Sequence, residues 1–179
     1  EAKPALETLT ALGVRRFTVL SGDKKEAVSA AAERLGIENR FAELLPQDKL
    51  QIVKELKQSG TVAFVGDGIN DAPVLVAADI GIAMGGLGRD AAIEASDIVL
   101  LGDNLSSIPA AMKLARRTKN TAAANIAFAL AVKAAVLVLG VLGIAAMWTA
   151  VIADVGVALL LTGNSMRILW SVRTGKRAR

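Results

Sequence analysis

The chain has 179 residues, 21 Lys and Arg against 17 Asp and Glu, no Cys, no His and 3% aromatic residues. Without Cys or His it can build no disulfide and no thiolate or imidazole metal site of its own. The net charge of +4 divides unevenly: through Met112 there are 16 acidic and 11 basic residues, net −5, and from Lys113 onward 1 acidic and 10 basic, net +9. A basic balance with so few aromatics argues against nucleic acid, whose bases need stacking partners. Basic residues flanking apolar stretches point instead to a membrane. The start, Glu1-Ala2-Lys3-Pro4, lacks the apolar core of a signal peptide and reads as the middle of a longer protein.

In chain order, apolar periodicity predicts a helix over 5–12 ended by Gly13, a buried strand over 17–20, and an Ala-rich helix over 24–35 closed by Gly36. A strand over 41–45 follows, then a helix that Pro46 opens and that runs to about Ser59, with Leu50, Val53 and Leu56 on its apolar stripe. A strand over 61–65, a helix over 71–78, a strand over 80–83, a short helix over 89–95 and a strand over 98–101 complete the pattern. Strands alternating with helices predict an α/β fold: one parallel sheet with flanking helices and right-handed crossovers.

A helix over 105–120 carrying Lys113, Arg116, Arg117 and Lys119 then leads out of the domain. Residues 122–142 are apolar except Asn125 and Lys133, and residues 148–162 except Thr149 and Asp154, so each stretch with its flanks approaches the roughly 20 residues that span a bilayer. The expected division is a cytoplasmic domain over 1–112 and a transmembrane helical hairpin over 113–179. The connector is uncharged and both outer flanks are basic, which places the soluble domain and both ends in the cytoplasm. Trp148 and Trp170 stand 22 residues apart, about 33 Å of helix, matching the two interfaces of a bilayer.

The chemistry concentrates in Val65-Gly66-Asp67-Gly68-Ile69-Asn70-Asp71-Ala72-Pro73. In open α/β sheets ligands sit at the carboxyl ends of strands, and two glycines allow a tight turn there. Asp67 and Asp71, four residues apart, can turn both carboxylates toward one point, which suits Mg²⁺; an Asp after Gly also serves as a plain helix cap. Ser21-Gly22-Asp23 after a strand reads by itself as an ordinary turn, and Lys49 as a solvated helix charge. Asp48 is a helix-start charge. Gly85-Gly86-Leu87-Gly88 lacks the Lys and Ser or Thr of a phosphate loop. Lys133 and Asp154 are ionisable groups at mid-span, costly there and functional candidates by default. In an antiparallel hairpin turning near Ile144 and Ala145 their depths differ by about 3 Å. A buried ion pair that merely locks the two helices is the alternative.

Together GDGINDAP, Ser21-Gly22-Asp23, Pro46-Gln47-Asp48-Lys49 and the hydrophobic C-terminal third resemble the P-type ATPases of the haloacid-dehalogenase-like superfamily. The resemblance implies a haloacid-dehalogenase-like, Rossmann-like sheet. It assigns Ser21, Asp23, Lys49, Asp67, Asn70 and Asp71 to the catalytic site: the Ser21 hydroxyl, where the family usually has Thr, and Lys49 to the phosphoryl group, Asp23 near the nucleotide, Asp67 and Asp71 to Mg²⁺. Arg89 stands where the family has a small polar residue. Asn125-Ile126 with Lys133, Trp148, Ala153-Asp154-Val155-Gly156, and Asn164 with Arg167 resemble the last two helices of the Zn²⁺/Cd²⁺/Pb²⁺ exporters. There the aspartate is a ligand of the transported ion and the lysine a built-in counter-ion. The Asn, Tyr, Met and Ser of copper exporters and the His-Glu pair of the cobalt group are absent.

The family's DKTGT aspartate, nucleotide-binding domain, TGE actuator and Cys-Pro-Cys helix do not occur in this sequence. The expectation is the C-terminal portion of an ATP-driven, plasma-membrane exporter, inactive without the remainder of the ATPase, which supplies most of the ATP site. Two rivals stay open: a membrane-anchored phosphatase of the same superfamily, and a non-catalytic Mg²⁺-binding regulatory subunit.

Overall fold

The computed structural model describes residues 2–66, 69–85, 93–102, 104–144 and 147–175. Two compact units divide the chain, Glu1–Ala110 and Ala111–Arg179. In the first, α1 (Ala2–Ala11) precedes β1 (Thr18–Leu20), α2 (Lys25–Leu35), β2 (Asn39–Phe41), α3 (Pro46–Lys57), β3 (Ala63–Gly66), a 3₁₀ turn (Ile69–Asp71), α4 (Ala72–Ala77), β4 (Ile80–Met84) and β5 (Ile98–Leu100). The helix expected over 89–95 falls mostly outside the described residues.

Among the described residues all strand pairs are parallel, as expected from alternation with helices, and they form two sheets rather than one: β1 with β2, and β3-β4-β5. Periodicity identifies strands without saying which pair, so the split was not legible. The strand expected over 41–45 lies earlier, at Asn39–Phe41. The backbone of 43–44 instead bonds to the segment after β1, with the Glu43 N–H donating to the Asp23 carbonyl at 2.9 Å and the Leu44 N–H to the Ser21 carbonyl at 3.1 Å.

Val53, Phe64, Val74, Leu75, Ala78 and Ala83 form the core, with Leu20, Leu50, Val62 and Ala95 packed on it. The expected stripe of α3 thus turns Val53 inward, 1% exposed. A six-residue helix such as α4 is too short to hold its shape alone; full burial of Val74 and Leu75 supplies what hydrogen bonding does not. An ion pair closes its far end. Lys57 Nζ donates to the Ala77 carbonyl at 2.7 Å and lies 3.1 Å from Asp79 Oδ1, while Asp79 Oδ2 accepts the Val62 N–H at 2.9 Å.

The second unit is a helical hairpin. The helix expected over 105–120 and the first span are one continuous helix, α5 (Ser107–Val141), because no Gly or Pro interrupts residues 110–139. At 1.5 Å per residue its length, about 52 Å, exceeds a bilayer's apolar thickness of about 30 Å, so its basic first part lies beyond the span. The second helix, α6 (Met147–Gly175), extends well past the expected 148–162. Ser107–Val141 and Trp148–Ile168 are both long and apolar enough to cross a membrane, with mean hydropathies of 2.1 and 1.4 over their most apolar windows. Gly143, at φ +74°, makes the turn between them in the left-handed region that favours glycine.

The Val62 N–H and the Lys57 ammonium hold the Asp79 carboxyl below its ordinary pKa. A group depressed on folding contributes stability above its unfolded pKa and loses it as pH falls through the folded one. Asp79→Asn should therefore destabilise the first unit near neutral pH, and its deficit against wild type should shrink on acidification from about pH 5 to pH 3. Denaturation midpoints across that window check this; a deficit independent of pH would contradict it.

Candidate functional site

Two clusters hold the candidate residues, one in each unit. In the first, β3 ends at Gly66 and the 3₁₀ turn Ile69–Asp71 leads into α4, whose first turn carries Pro73, pre-set for a helix start. Asp67 and Gly68 lie outside the described residues, as do residues 86–92 and with them most of the glycine loop and Arg89. Asn70 is exposed.

Lys49, in the first turns of α3, reaches across to this loop, and its Nζ lies 2.8 Å from Asp71 Oδ1 with the two side chains 16% and 13% exposed. In so sheltered a place a lone charge is expensive, which is why the two side chains meet. Lys49 is therefore no solvated surface charge. The residue before Asp67 also matters: a Cβ on Gly66 would lie 3.1 Å from Asp71 Cβ and 3.3 Å from its Oδ2. Only glycine leaves the carboxylate that room.

Ser21 and Asp23 make a local turn, the Ser21 hydroxyl donating to Asp23 Oδ2 at 2.9 Å and the Asp23 N–H donating to Ser21 Oγ at 3.2 Å. Among the described residues no hydrogen bond or ion pair joins either of them directly to Lys49 or Asp71. The backbone makes the connection. Leu44 bonds the Ser21 carbonyl, the Leu45 N–H donates to Asp48 Oδ2 at 2.9 Å, and the Lys49 N–H returns to the Leu45 carbonyl at 3.2 Å. Asp48 is thus the expected helix-start charge, satisfying one N–H at the entry to α3. Glu43, in the same loop, has φ +57°, a conformation costing a non-glycine residue about 1 kcal/mol or more. Sequence reasoning missed it, since no Gly or Asn marked the position.

In the hairpin, Lys133 Nζ lies 3.2 Å from Asp154 Oδ1, so the two expected mid-span charges do face each other. Nearer the basic end, Asn164 Nδ2 donates to Asn125 Oδ1 at 2.7 Å, and Asn125 Nδ2 donates to Ser165 Oγ at 3.0 Å and to the Leu161 carbonyl at 3.4 Å. Ser165 escaped the sequence reading. Counting eight residues outward from Lys133 and Asp154 reaches Asn125 and Thr162, so the register brings residue 125 only to the turn that carries Leu161, Asn164 and Ser165, and does not single out Ser165.

The parallel α/β unit and the loop after β3 define the class. The family model of the haloacid dehalogenase-like hydrolases matches residues 1–79. The cadmium, zinc and cobalt-transporting ATPase of Bacillus subtilis (strain 168) is 51% identical over 94% of this chain and 25% of its own length. The zinc-transporting ATPase of Synechocystis sp. (strain ATCC 27184 / PCC 6803 / Kazusa) is 45% identical over 94% and 24%. The crystal structure of a zinc-transporting PIB-type ATPase in the E2.Pi state superposes with TM-score 0.86 at 43% identity, over 93% of this chain and 27% of that one. Over both units the chain is similar to P-type ATPases, with the haloacid-dehalogenase-like fold in its first unit and two membrane-length helices in its second. It spans about a quarter of the length of the curated relatives it matches.

Removing one member of the sheltered pair should cost about 3 kcal/mol, the low end for buried ion pairs because both side chains keep some solvent contact. Lys49→Met should therefore speed hydrogen exchange in α3 and α4, and adding Asp71→Leu should restore much of the protection. Equal exchange in Lys49→Met and wild type would show that the pair contributes nothing.

Proposed function

We propose that this chain works, within a longer protein, as the later part of the phosphorylation domain and the last two transmembrane helices of an ATP-driven pump that exports Zn²⁺, Cd²⁺ or Pb²⁺ through an aspartyl-phosphate intermediate. The observation that carries the reading is the charged pair in the hairpin, Lys133 and Asp154 at 3.2 Å, on a chain that aligns over both units with cadmium- and zinc-transporting relatives. That alignment runs through both helices and favours neither a tethered phosphatase nor a regulatory subunit. The membrane is the plasma membrane, with the first unit and the basic flanks on its cytoplasmic side.

At the phosphoryl end Lys49 acts as a point charge on phosphoryl oxygens, held in place by Asp71. The Ser21 hydroxyl, here turned to Asp23, is the second donor. Asp71 Oδ2 makes no hydrogen bond among the described residues, which leaves a carboxylate oxygen for an oxygen-seeking cation. Asp67 and Asp71 would hold Mg²⁺, which in phosphoryl transfer neutralises charge on the phosphate oxygens. Asp23 lies toward the nucleotide. Asn70 stands between the two carboxylates in sequence and completes the loop.

At the membrane end Asp154 is the acidic group the hairpin offers the transported ion, and carboxylate oxygen is an accepted ligand for Zn²⁺. When the ion leaves, the Lys133 ammonium, 3.2 Å away, remains as the carboxylate's partner. Ion and ammonium thus alternate as partners of one carboxylate.

In the full-length protein, Asp154→Ala should abolish Zn²⁺ binding and metal-stimulated ATP hydrolysis while leaving phosphorylation from inorganic phosphate intact. Lys133→Ala should still bind metal but turn over slowly. Full Zn²⁺ stoichiometry and rate in Asp154→Ala would make the pair structural and move the transport site to other helices. At the other end, Asp67→Asn should lower phosphoenzyme formation about 100-fold, the effect of losing one preorganised electrostatic stabiliser. Normal phosphoenzyme with unchanged Mg²⁺ dependence would remove Asp67 from the site.

A further inference from the structure

Beyond the Asn125–Asn164 hydrogen bond, at the basic end of the hairpin, the helices part around a cleft of about 380 Å³ lined by Arg117, Asn120, Thr121, Asn164, Arg167 and Ile168. The spacing is helical on both sides. Arg117, Asn120 and Thr121 follow the i, i+3, i+4 rule on α5, and Asn164, Arg167 and Ile168 repeat it on α6, so each helix turns one continuous face into the cleft. Among the described residues neither Arg117 nor Arg167 has an ion pair or a side-chain hydrogen bond. Two arginines thus line one cleft, neither paired with an acidic side chain among the described residues.

Depth identifies the anion. Trp170, 64% exposed, follows Arg167 by three residues, and tryptophan collects at the headgroup level of a bilayer. Toward the middle of the hairpin the same helix faces present exposed apolar residues, Phe128 on α5, seven residues after Thr121, and Leu160 on α6, seven before Arg167. A ligand fitting both parts carries a phosphodiester above and acyl chains below. Guanidinium matches phosphate oxygens through paired N–H donors, and the Asn120 amide and Thr121 hydroxyl add neutral donors beside it. Basic pockets between transmembrane helices on the cytoplasmic side are where anionic headgroups bind.

We propose that this cleft is a binding site for the headgroup of an anionic glycerophospholipid, with Arg117 and Arg167 as its phosphate ligands. It rests on the membrane-spanning reading of α5 and α6 but not on which metal is carried. An occupied site ties the basic ends of the two helices together through a shared anion, on the cytoplasmic side of the Asn125–Asn164 bond that keeps their register. Lipid charge would then act on the same hairpin that holds Lys133 and Asp154.

The test uses the full-length protein reconstituted with equal phosphatidylglycerol and phosphatidylcholine, gently delipidated, and weighed by native mass spectrometry to count retained lipids. Phosphatidylglycerol should be retained over phosphatidylcholine, and Arg167→Gln should lose about fivefold of that preference, Arg117→Gln/Arg167→Gln about thirtyfold, from the usual contribution per basic residue near a membrane surface. Arg117→Lys/Arg167→Lys keeps the charge and should lose less than fivefold, so the proposal stays testable if the double Gln variant fails to fold. Excess inorganic phosphate should not displace the lipid. No preference in wild type, or an unchanged preference in Arg167→Gln, overturns the site. Displacement by inorganic phosphate makes it a free-anion site and overturns the lipid assignment. Retention of neither lipid overturns the membrane reading together with it.

Discussion

Two ion pairs of equal spacing hold the loop after β3 and the helix that follows it in place. Lys49 and Lys57 lie eight residues apart on α3, and their partners Asp71 and Asp79 lie eight residues apart on either side of α4. One helix therefore grips both ends of a second that is too short to persist alone. Val53 lies between the two lysines and packs where Val74 and Leu75 are buried, so charge at the ends and apolar contact in the middle act on the same pair of helices. Everything the loop after β3 can do depends on this clamp, because the clamp fixes where Asp71 stands relative to β3. The two pairs differ in setting. Asp71 and Lys49 are sheltered, so losing one partner leaves an uncompensated charge, whereas Asp79 and Lys57 are about a third exposed and water screens their attraction.

What the sequence made legible follows from the range of its signals. The GDGIND loop is a local pattern at a strand-to-helix junction, and the structure does put a strand before it and a helix after it. The α/β class was legible for the same reason, as was the apolar stripe that turns Val53 inward. Contacts between distant residues were not. Nothing in periodicity says that Lys49 meets a carboxylate 22 positions later, and a lysine at the start of an amphipathic helix looks the same whether it reaches solvent or a buried partner. The division into two parallel sheets was hidden because the edge at which a strand pairs leaves no trace in its alternation. The strand placed at 41–45 failed on backbone chemistry: Glu43 takes up a left-handed conformation that its side chain does not announce.

The hairpin reversed that difficulty. Once two apolar stretches and a turn are granted, antiparallel geometry fixes which residues share a depth, and Lys133 and Asp154 were placed opposite each other on arithmetic alone. Their 3.2 Å separation agrees with that arithmetic, and the Asn125 contacts follow from the same register. The two long helices were harder to bound, because helix continues from the apolar stretch into polar flanks wherever no Gly or Pro stops it.

The register of the hairpin also constrains how the protein reaches its membrane. Residues 122–142 carry Asn125 and Lys133, and the partners of both, Asn164, Ser165 and Asp154, are made later in translation. A lysine at the centre of a lone span disfavours insertion by about 3 kcal/mol, and an unmatched asparagine amide adds to it. The first span is therefore a poor solo entrant to lipid, and the second, with its aspartate, is no better alone. Entering together, each supplies the groups the other lacks. The short connector around Gly143 keeps the two ends near each other from the moment the second span is synthesised, so biogenesis of this region is cooperative.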